Sequence, residues 1–412
     1  MTYEGDTMTY DFTTLIDRKG KDALAIDCIG ADVPFAQAPT APKHGFSAIP
    51  MWVADMNFPT VPTIPEEIVK RAQHPAYGYY MPRDEYFDSI IDWQRKRNGV
   101  TNLTRHDIGY ENGVLGCVST AVQAFTSPGD CVLMHSPTYI GFTHVLEDTG
   151  RTAILSPLVR DDNGVWRMNY EDMDAKLKRN RIHLAVFCSP HNPCGRVWER
   201  EEIEKAMRVF RDNRCIVVSD EIWSDILLNG NKHITTQSIS DDARHRTVAA
   251  YAPSKTFNLA GLIGSYHVVY DDYLRDRMRR QAALTHYNNM NVLSMHALIG
   301  AYKPEGHQWV DELCQTLSRT INDAHEIIER DFNGVEAAKP EGTYMMLLNC
   351  EQYCRSHGMS IDELIQKGWD VGVAWQQGAP FFAPWGIRMN FALPHSLAME
   401  AMERLRTHVF QE

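Results

Sequence analysis

Four short apolar runs, Cys131–Met134, His183–Phe187, Ile216–Val218 and Val248–Tyr251, punctuate the middle of the chain. Each is too short for a helix and lacks the polar alternation of a half-exposed strand, so each reads as a strand buried on both faces. Helix-like stretches fill most of the intervals between them. Strand and helix in alternation predict a mainly parallel sheet covered on both sides, an α/β fold.

The flanks differ in texture. Ile49–Pro59 is extended rather than helical, because proline fixes its own φ and disfavours helix at the residue before it, and the segment is a candidate lining for a cleft. Pro65 with Glu66 and Glu67 opens a helix whose dipole favours those acids; Phe87, Ile90 and Ile91 mark the apolar face of another, stopped by Asn98-Gly99. Beyond Pro304, Trp309, Leu313, Leu317 and Ile321 recur every four residues along a long amphipathic helix that ends near Asn333-Gly334. Shorter, more polar strands follow. A last helix is expected from an N-cap at Ser396, with Ala398, Ala401, Met402 and Leu405 turned inward. These features predict a second, smaller α+β unit.

Composition narrows the function classes. A chain of 412 residues with 44% hydrophobic content is long enough for more than one structural unit around a substantial core. Its net charge of −12 argues against a nonspecific grip on nucleic acid or anionic membrane and favours a small-molecule partner. No apolar stretch approaches the roughly 20 residues that span a bilayer, and Met1–Asp6 lacks the basic-then-apolar order of a signal peptide, so a cytoplasmic location is expected. The nine cysteines are odd in number and scattered, with no CxxC pair or histidine cluster to complete a metal site; reduced, mostly buried thiols are expected.

The chemistry gathers at the ends of the apolar runs. Tyr139, Asn192, Asp220 and Lys255 each fall just beyond a predicted strand, so a parallel sheet brings all four to the carboxyl edge where ligands bind. Alone, Asp220 reads equally well as a helix cap and Lys255 as a surface charge. Together they point to pyridoxal phosphate: Lys255 as the carbonyl-capturing amine and proton carrier, Asp220 as partner of the pyridine nitrogen, Asn192 as donor to the ring's phenolic oxygen and Tyr139 as a stacking face. For Tyr139 a plain core role stays open.

Glu111–Cys117 leads into a helix, and the backbone N–H groups of Gly113, Val114 and Leu115 suit a phosphate, with the Ser254 hydroxyl either joining them or capping its own turn. Arg388, inside the strand-like Trp385–Phe391, needs an anion: a substrate α-carboxylate or a structural ion pair.

The ordered set of Met51–Met56, the glycine-rich helix start, Ser136–Tyr139, Asn192–Gly195, Ser219–Ile222, Ser254-Lys255 and Arg388 resembles fold-type I pyridoxal-phosphate enzymes of the class I/II aminotransferase group. More narrowly it is similar to the cystathionine β-lyase, or carbon–sulfur lyase, branch, on Met51–Met56 and Pro253–Leu262 above all. The resemblance covers about residues 10–410. It implies a seven-stranded, mainly parallel large domain over about residues 60–295, and a small domain built from residues 1–59 and 296–412. It also implies a homodimer in which a tyrosine of the partner reaches the phosphate, with Tyr79 the candidate.

Departures carry information too. Many aminotransferases of the group place a phosphate-binding arginine eight residues after the lysine, where this chain has Ile263; the lyase branch commonly lacks it. Trp223 stands where a tyrosine often donates to the cofactor's phenolic oxygen, and an indole can donate but cannot exchange a proton. Asn57 replaces the branch's usual aspartate, and Gln376, Gln377 and Phe381–Pro384 form an individual stretch near Arg388. The expected activity is β-elimination from cystathionine, cystine or another cysteine S-conjugate to a thiol, pyruvate and ammonia. An aminotransferase, or a regulatory protein that keeps the fold and cofactor, are the alternatives.

Overall fold

The computed structural model describes residues 8–31, 38–284, 286 and 288–411. Its centre is a seven-stranded sheet in the spatial order Ile108–Glu111, Ser265–Val268, Thr247–Tyr251, Ile216–Asp220, Leu184–Cys188, Cys131–Ser136, Thr152–Pro157. Ser265–Val268 runs antiparallel to both neighbours and the remaining pairings are parallel, the mainly parallel α/β arrangement expected.

Successive residues of one strand feed opposite cores. Val186 and Val218 join a cluster with Val118, Val122 and Met278, whereas Ala185 and Val217 join one with Leu133, Phe187, Trp198 and Phe210. Burial on both faces is the reason these strands show no polar alternation.

Three strands lie outside the four apolar runs. Thr152–Pro157 is an edge strand with much of its length partly exposed. Ile108–Glu111 and Ser265–Val268 carry polar residues that pair across the ladder, His267 Nδ1 lying 2.9 Å from Glu111 Oε1. Glu111, Cys117 and His267 are the one cluster of three possible metal ligands among the described residues, and the Glu111 carboxylate there already accepts from Thr120 and Asn288. All nine cysteines are free thiols, six of them buried.

A four-stranded antiparallel sheet, in the order Glu336–Ala337, Met345–Asn349, Gly386–Asn390, Gln376–Gln377, packs with the helices Pro304–Asp331 and His395–His408. Trp309, Leu313, Leu317 and Ile321 are buried along the first helix, as are Ala398, Ala401, Met402 and Leu405 along the second. That last helix starts at His395 rather than after Ser396. The amides of Leu397 and Ala398 both bond to the Pro394 carbonyl, so proline caps the helix and the serine falls inside its first turn. Ile49–Pro50 pairs in parallel with Val373–Ala374, which fastens the N-terminal segment beside this second sheet.

Candidate active site

Parallel register places the candidate residues together. Cys188, Asp220 and Ala250 lie side by side at the carboxyl ends of adjacent strands. Asn192 follows the first, Asp220 is itself the last residue of the second, and Lys255 sits in the one-turn helix Pro253–Thr256 after the third. Tyr139 follows Cys131–Ser136 and caps the helix Ile140–Asp148. The helix Gly113–Phe125 begins beyond Ile108–Glu111 at the same edge, where Gly113 adopts φ +77° and a side chain in its place would meet open space. A Cβ on Gly141 would lie 2.6 Å from the Tyr139 ring and 2.7 Å from Leu115, so glycine there lets the tyrosine turn close onto the helix start.

Lys255 is the centre of the constellation. Its amine donates to the Ala54 carbonyl at 2.7 Å and lies 5.7 Å from the centre of the Trp223 ring. Burial, reinforced by the Arg388 charge and opposed by Asp55 and Asp220, brings its pKa down to about 8. Asp220 moves the other way: burial pushes it up to about 7, against the Ile222 amide it accepts and the pull of Lys255. No cation among the described residues lies within ion-pair distance of it. A buried carboxyl without a cation beside it is costly to ionise, and a protonated ring nitrogen would lower that cost.

Arg388 is 3% exposed, yet its ligands are neutral: Asn192 Oδ1 at 3.2 Å, the Trp52 carbonyl at 3.1 Å and the Gln376 side-chain oxygen. Its Nε has no partner, the Phe381 ring lies 4.4 Å away, and burial lowers its pKa to about 10. No carboxylate among the described residues pairs with it, so the structural ion pair is not made there. The pKa of Tyr139 is raised by burial, with the Arg388 charge opposing the shift and the Asp220 charge adding to it.

The Met51–Met56 segment meets this site with backbone as much as with side chains. Asn390 Nδ2 donates to the Val53 and Asp55 carbonyls at 2.6 Å each, and Asn258, held at φ +59°, exchanges two 3.0 Å hydrogen bonds with the Met56 backbone. The Tyr344 hydroxyl shares the Ala54 carbonyl with Lys255 at 3.1 Å, and its ring meets Trp223 edge-on at 4.7 Å. Arg18 braces the segment from the N-terminal side, 2.6 Å from Asp55 and 3.0 Å from Asn57.

Tyr344, Gln376 and the carbonyls of Trp52 and Ala54 lay outside the sequence expectation. A carbonyl carries no side-chain signal, although the extended Ile49–Pro59 reading and the unusual Gln376-Gln377 stretch pointed to the right places. Ser254 is half-buried on the same turn as Lys255. Tyr79 is fully exposed and touches nothing at the site within its own chain, and Ile263 is exposed at φ +42°.

The aminotransferase class I and II family model matches residues 53–405. The chain is 33% identical over 362 residues to cystathionine beta-lyase PatB of Bacillus subtilis, covering 87% of this chain and 92% of that protein. It is 26% identical to protein MalY of Escherichia coli, covering 82% and 84%. Among solved structures, cystalysin from Treponema denticola, which contains pyridoxal 5'-phosphate, superposes with a TM-score of 0.87 at 28% identity over 97% of this chain and 99% of that one. The pyridoxal-phosphate-bound C-S lyase from Staphylococcus hominis gives 0.87 at 25% identity over 98% and 99%.

Proposed function

The chain belongs to the aminotransferase class I and II family and is a pyridoxal-phosphate-dependent carbon–sulfur β-lyase, and we propose that it cleaves cystathionine or a related cysteine S-conjugate to a thiol, pyruvate and ammonia. The observation that carries this reading is the set of half-buried Lys255 with buried Asp220 and Arg388. It comprises an amine brought to about 8, a carboxyl raised to about 7 and a guanidinium, the carboxyl meeting no cation and the guanidinium no carboxylate among the described residues.

These residues fit the cofactor. Lys255 would hold it covalently, Asp220 would face its ring nitrogen, Asn192 its phenolic oxygen and Tyr139 its ring. The N–H groups of Gly113, Val114 and Leu115, with Ser254, would take the phosphate. Trp223 closes the side near Lys255. When bound, pyridoxal phosphate supplies a carbonyl that captures amino groups and a ring that withdraws electrons from the substrate's α-carbon.

The chain's own groups do the rest. Arg388 clamps the α-carboxylate with paired N–H groups, oriented by Asn192 and the Trp52 carbonyl. The Lys255 amine, with a pKa near working pH, takes the α-proton and has the Ala54 carbonyl to dock on when free. The electron pair left at the α-carbon expels a thiolate from the β-carbon, and the three-carbon enamine hydrolyses to pyruvate and ammonia. Ile263 in place of a phosphate arginine is consistent with the lyase branch.

The same reading divides the chain into a large unit over about 60–295 and a small one formed by 1–59 and 296–412. It pairs two copies so that Tyr79 of each reaches the other's phosphate. Among the described residues no helix is long and apolar enough to cross a membrane.

The test is holoenzyme with cystathionine and no keto acid, pyruvate and homocysteine being measured together. Equal release of both is expected. Amino transfer that requires an acceptor, with no thiol released, would overturn the lyase reading in favour of an aminotransferase.

A further inference from the structure

The loop between Gln376–Gln377 and Gly386–Asn390 holds the two strands that present Arg388, and it contains a residue its backbone does not favour. Ala379–Phe381 forms a single tight turn, and Phe382, which ends it, lies at φ +60°, ψ 34°. The left-handed conformation at a helix end is normally filled by glycine, since a Cβ there costs about 1–2 kcal/mol. The loop has glycines, but it uses them for close approach. A Cβ on Gly378 would lie 2.6 Å from the Gly386 carbonyl oxygen, and one on Gly386 would lie 2.8 Å from Ala383. The position that needs positive φ holds a phenylalanine instead.

Phe382 is 45% exposed and makes no ring contact with another aromatic among the described residues. Its neighbour shows where it stands. Phe381 is fully buried against the Arg388 guanidinium, and its carbonyl accepts from the Thr138 amide at 3.0 Å, one residue before Tyr139. Phe382 thus directly follows the residue that packs on the Arg388 guanidinium, where the loop closes onto the tyrosine turn. Strain at a bulky, exposed residue beside a site is the pattern of a side chain kept for a ligand.

We propose that Phe382 determines substrate preference, its ring forming the outer wall of the substrate cleft and packing against the group carried on the substrate's sulfur, so that apolar and aromatic thioethers are favoured. The proposal rests on the β-lyase reading above. A substrate held by its carboxylate at Arg388, with its α-carbon at Lys255, directs its sulfur substituent away from both and toward the mouth of the cleft. A ring at the mouth gains by covering a benzyl group and gains little from a methyl group.

The experiment compares wild-type holoenzyme with Phe382→Gly, Phe382→Asn and Phe382→Tyr, using S-benzyl-L-cysteine and S-methyl-L-cysteine. Thiol release, calorimetric Kd, thermal unfolding and mass in solution are measured. Glycine and asparagine both tolerate the left-handed backbone, so at least one ring-free protein is expected to fold, with a Tm equal to or above wild type. For these two variants kcat/KM on the benzyl substrate should fall about tenfold through KM, with the same loss in Kd, while the methyl substrate changes less than about twofold. Tyrosine should keep the wild-type preference.

An unchanged benzyl-to-methyl ratio in both ring-free variants would overturn the proposal. So would a shift in mass with preference intact, which would mean that a second copy covers the ring. If wild type released thiol from neither substrate, the lyase reading would fail, and the Kd ratio would still decide the role of Phe382.

Discussion

At Asp220 the cost of burying a carboxyl is written directly into its titration. Its folded pKa of about 7 lies above the ordinary 3.8, so without cofactor the folded state binds the proton more tightly than the unfolded state. The sign follows from linkage. Stability is lost as pH rises from about 4 to about 7, and above that window the loss is full, on the order of 4 kcal/mol. Apoprotein carrying Asp220→Asn should therefore be the more stable form at pH 8, with the difference closing near pH 4, as urea titrations at several pH values would read. In holoenzyme the same change should remove most turnover, because a neutral amide does not favour a protonated ring nitrogen. Turnover near the wild-type rate would demote Asp220 to a structural role. Lys255→Ala should give a colourless protein that releases no thiol. Arg388→Ala should raise KM by about 100-fold or more while the bound cofactor's absorbance persists, since truncating a buried charged contact costs about 2–5 kcal/mol. Loss of cofactor would show that the guanidinium serves the cofactor instead.

Elements fix how closely those residues approach one another. Met51–Met56 has little regular secondary structure, and its geometry is held from outside, by Asn390 on the Gly386–Asn390 strand and by Asn258 on the turn after Lys255. Asn390→Ala should leave the Val53 and Asp55 carbonyls without their buried donor. The expected loss is about 1–3 kcal/mol in denaturant unfolding, with a fall in kcat because Ala54, the seat of the Lys255 amine, lies between those two carbonyls. A loss of stability with kcat unchanged would mean that the segment serves packing only. The Pro394 start of the last helix teaches a related lesson at element scale. A serine with good capping chemistry yields when a proline just upstream already has the backbone geometry of a cap.

For the whole molecule, the telling residue is Tyr79, fully exposed in a chain whose other aromatic rings are mostly buried. If it completes the phosphate site of a second copy, Tyr79→Ala and Lys255→Ala should each be inactive as homodimers. Mixed after mild dissociation, they should recover activity, since one site of the mixed dimer then has both native residues. No recovery in a mixture shown by mass to contain mixed dimers would remove Tyr79 from the site.

Much of this molecule was legible in the chain, for physical reasons. Runs such as Ile216–Val218, alternating with helices, fit strands of a parallel sheet covered on both faces, and a parallel sheet gathers whatever chemistry follows its strands at one edge. Lys255, Asp220 and Asn192 could accordingly be chosen as candidates from spacing and residue type, and Arg388, which lies in the antiparallel sheet, as a lone cation in a strand-like run; the resemblance to carbon–sulfur lyases rests on those same positions. Strands such as Ile108–Glu111 and Ser265–Val268 stayed hidden because their polar residues satisfy one another across the ladder, a pairing between positions far apart in sequence.

Tertiary structure alone decided that Arg388 meets neutral oxygens and, among the described residues, no carboxylate, that the Lys255 amine rests on the Ala54 carbonyl, and that Phe382 occupies a left-handed turn beside the clamp. Each depends on which backbone groups converge and how much water they exclude. Local sequence determines the residue types available, whereas burial and the partners supplied by distant segments determine the charge each one carries and what it is free to bind.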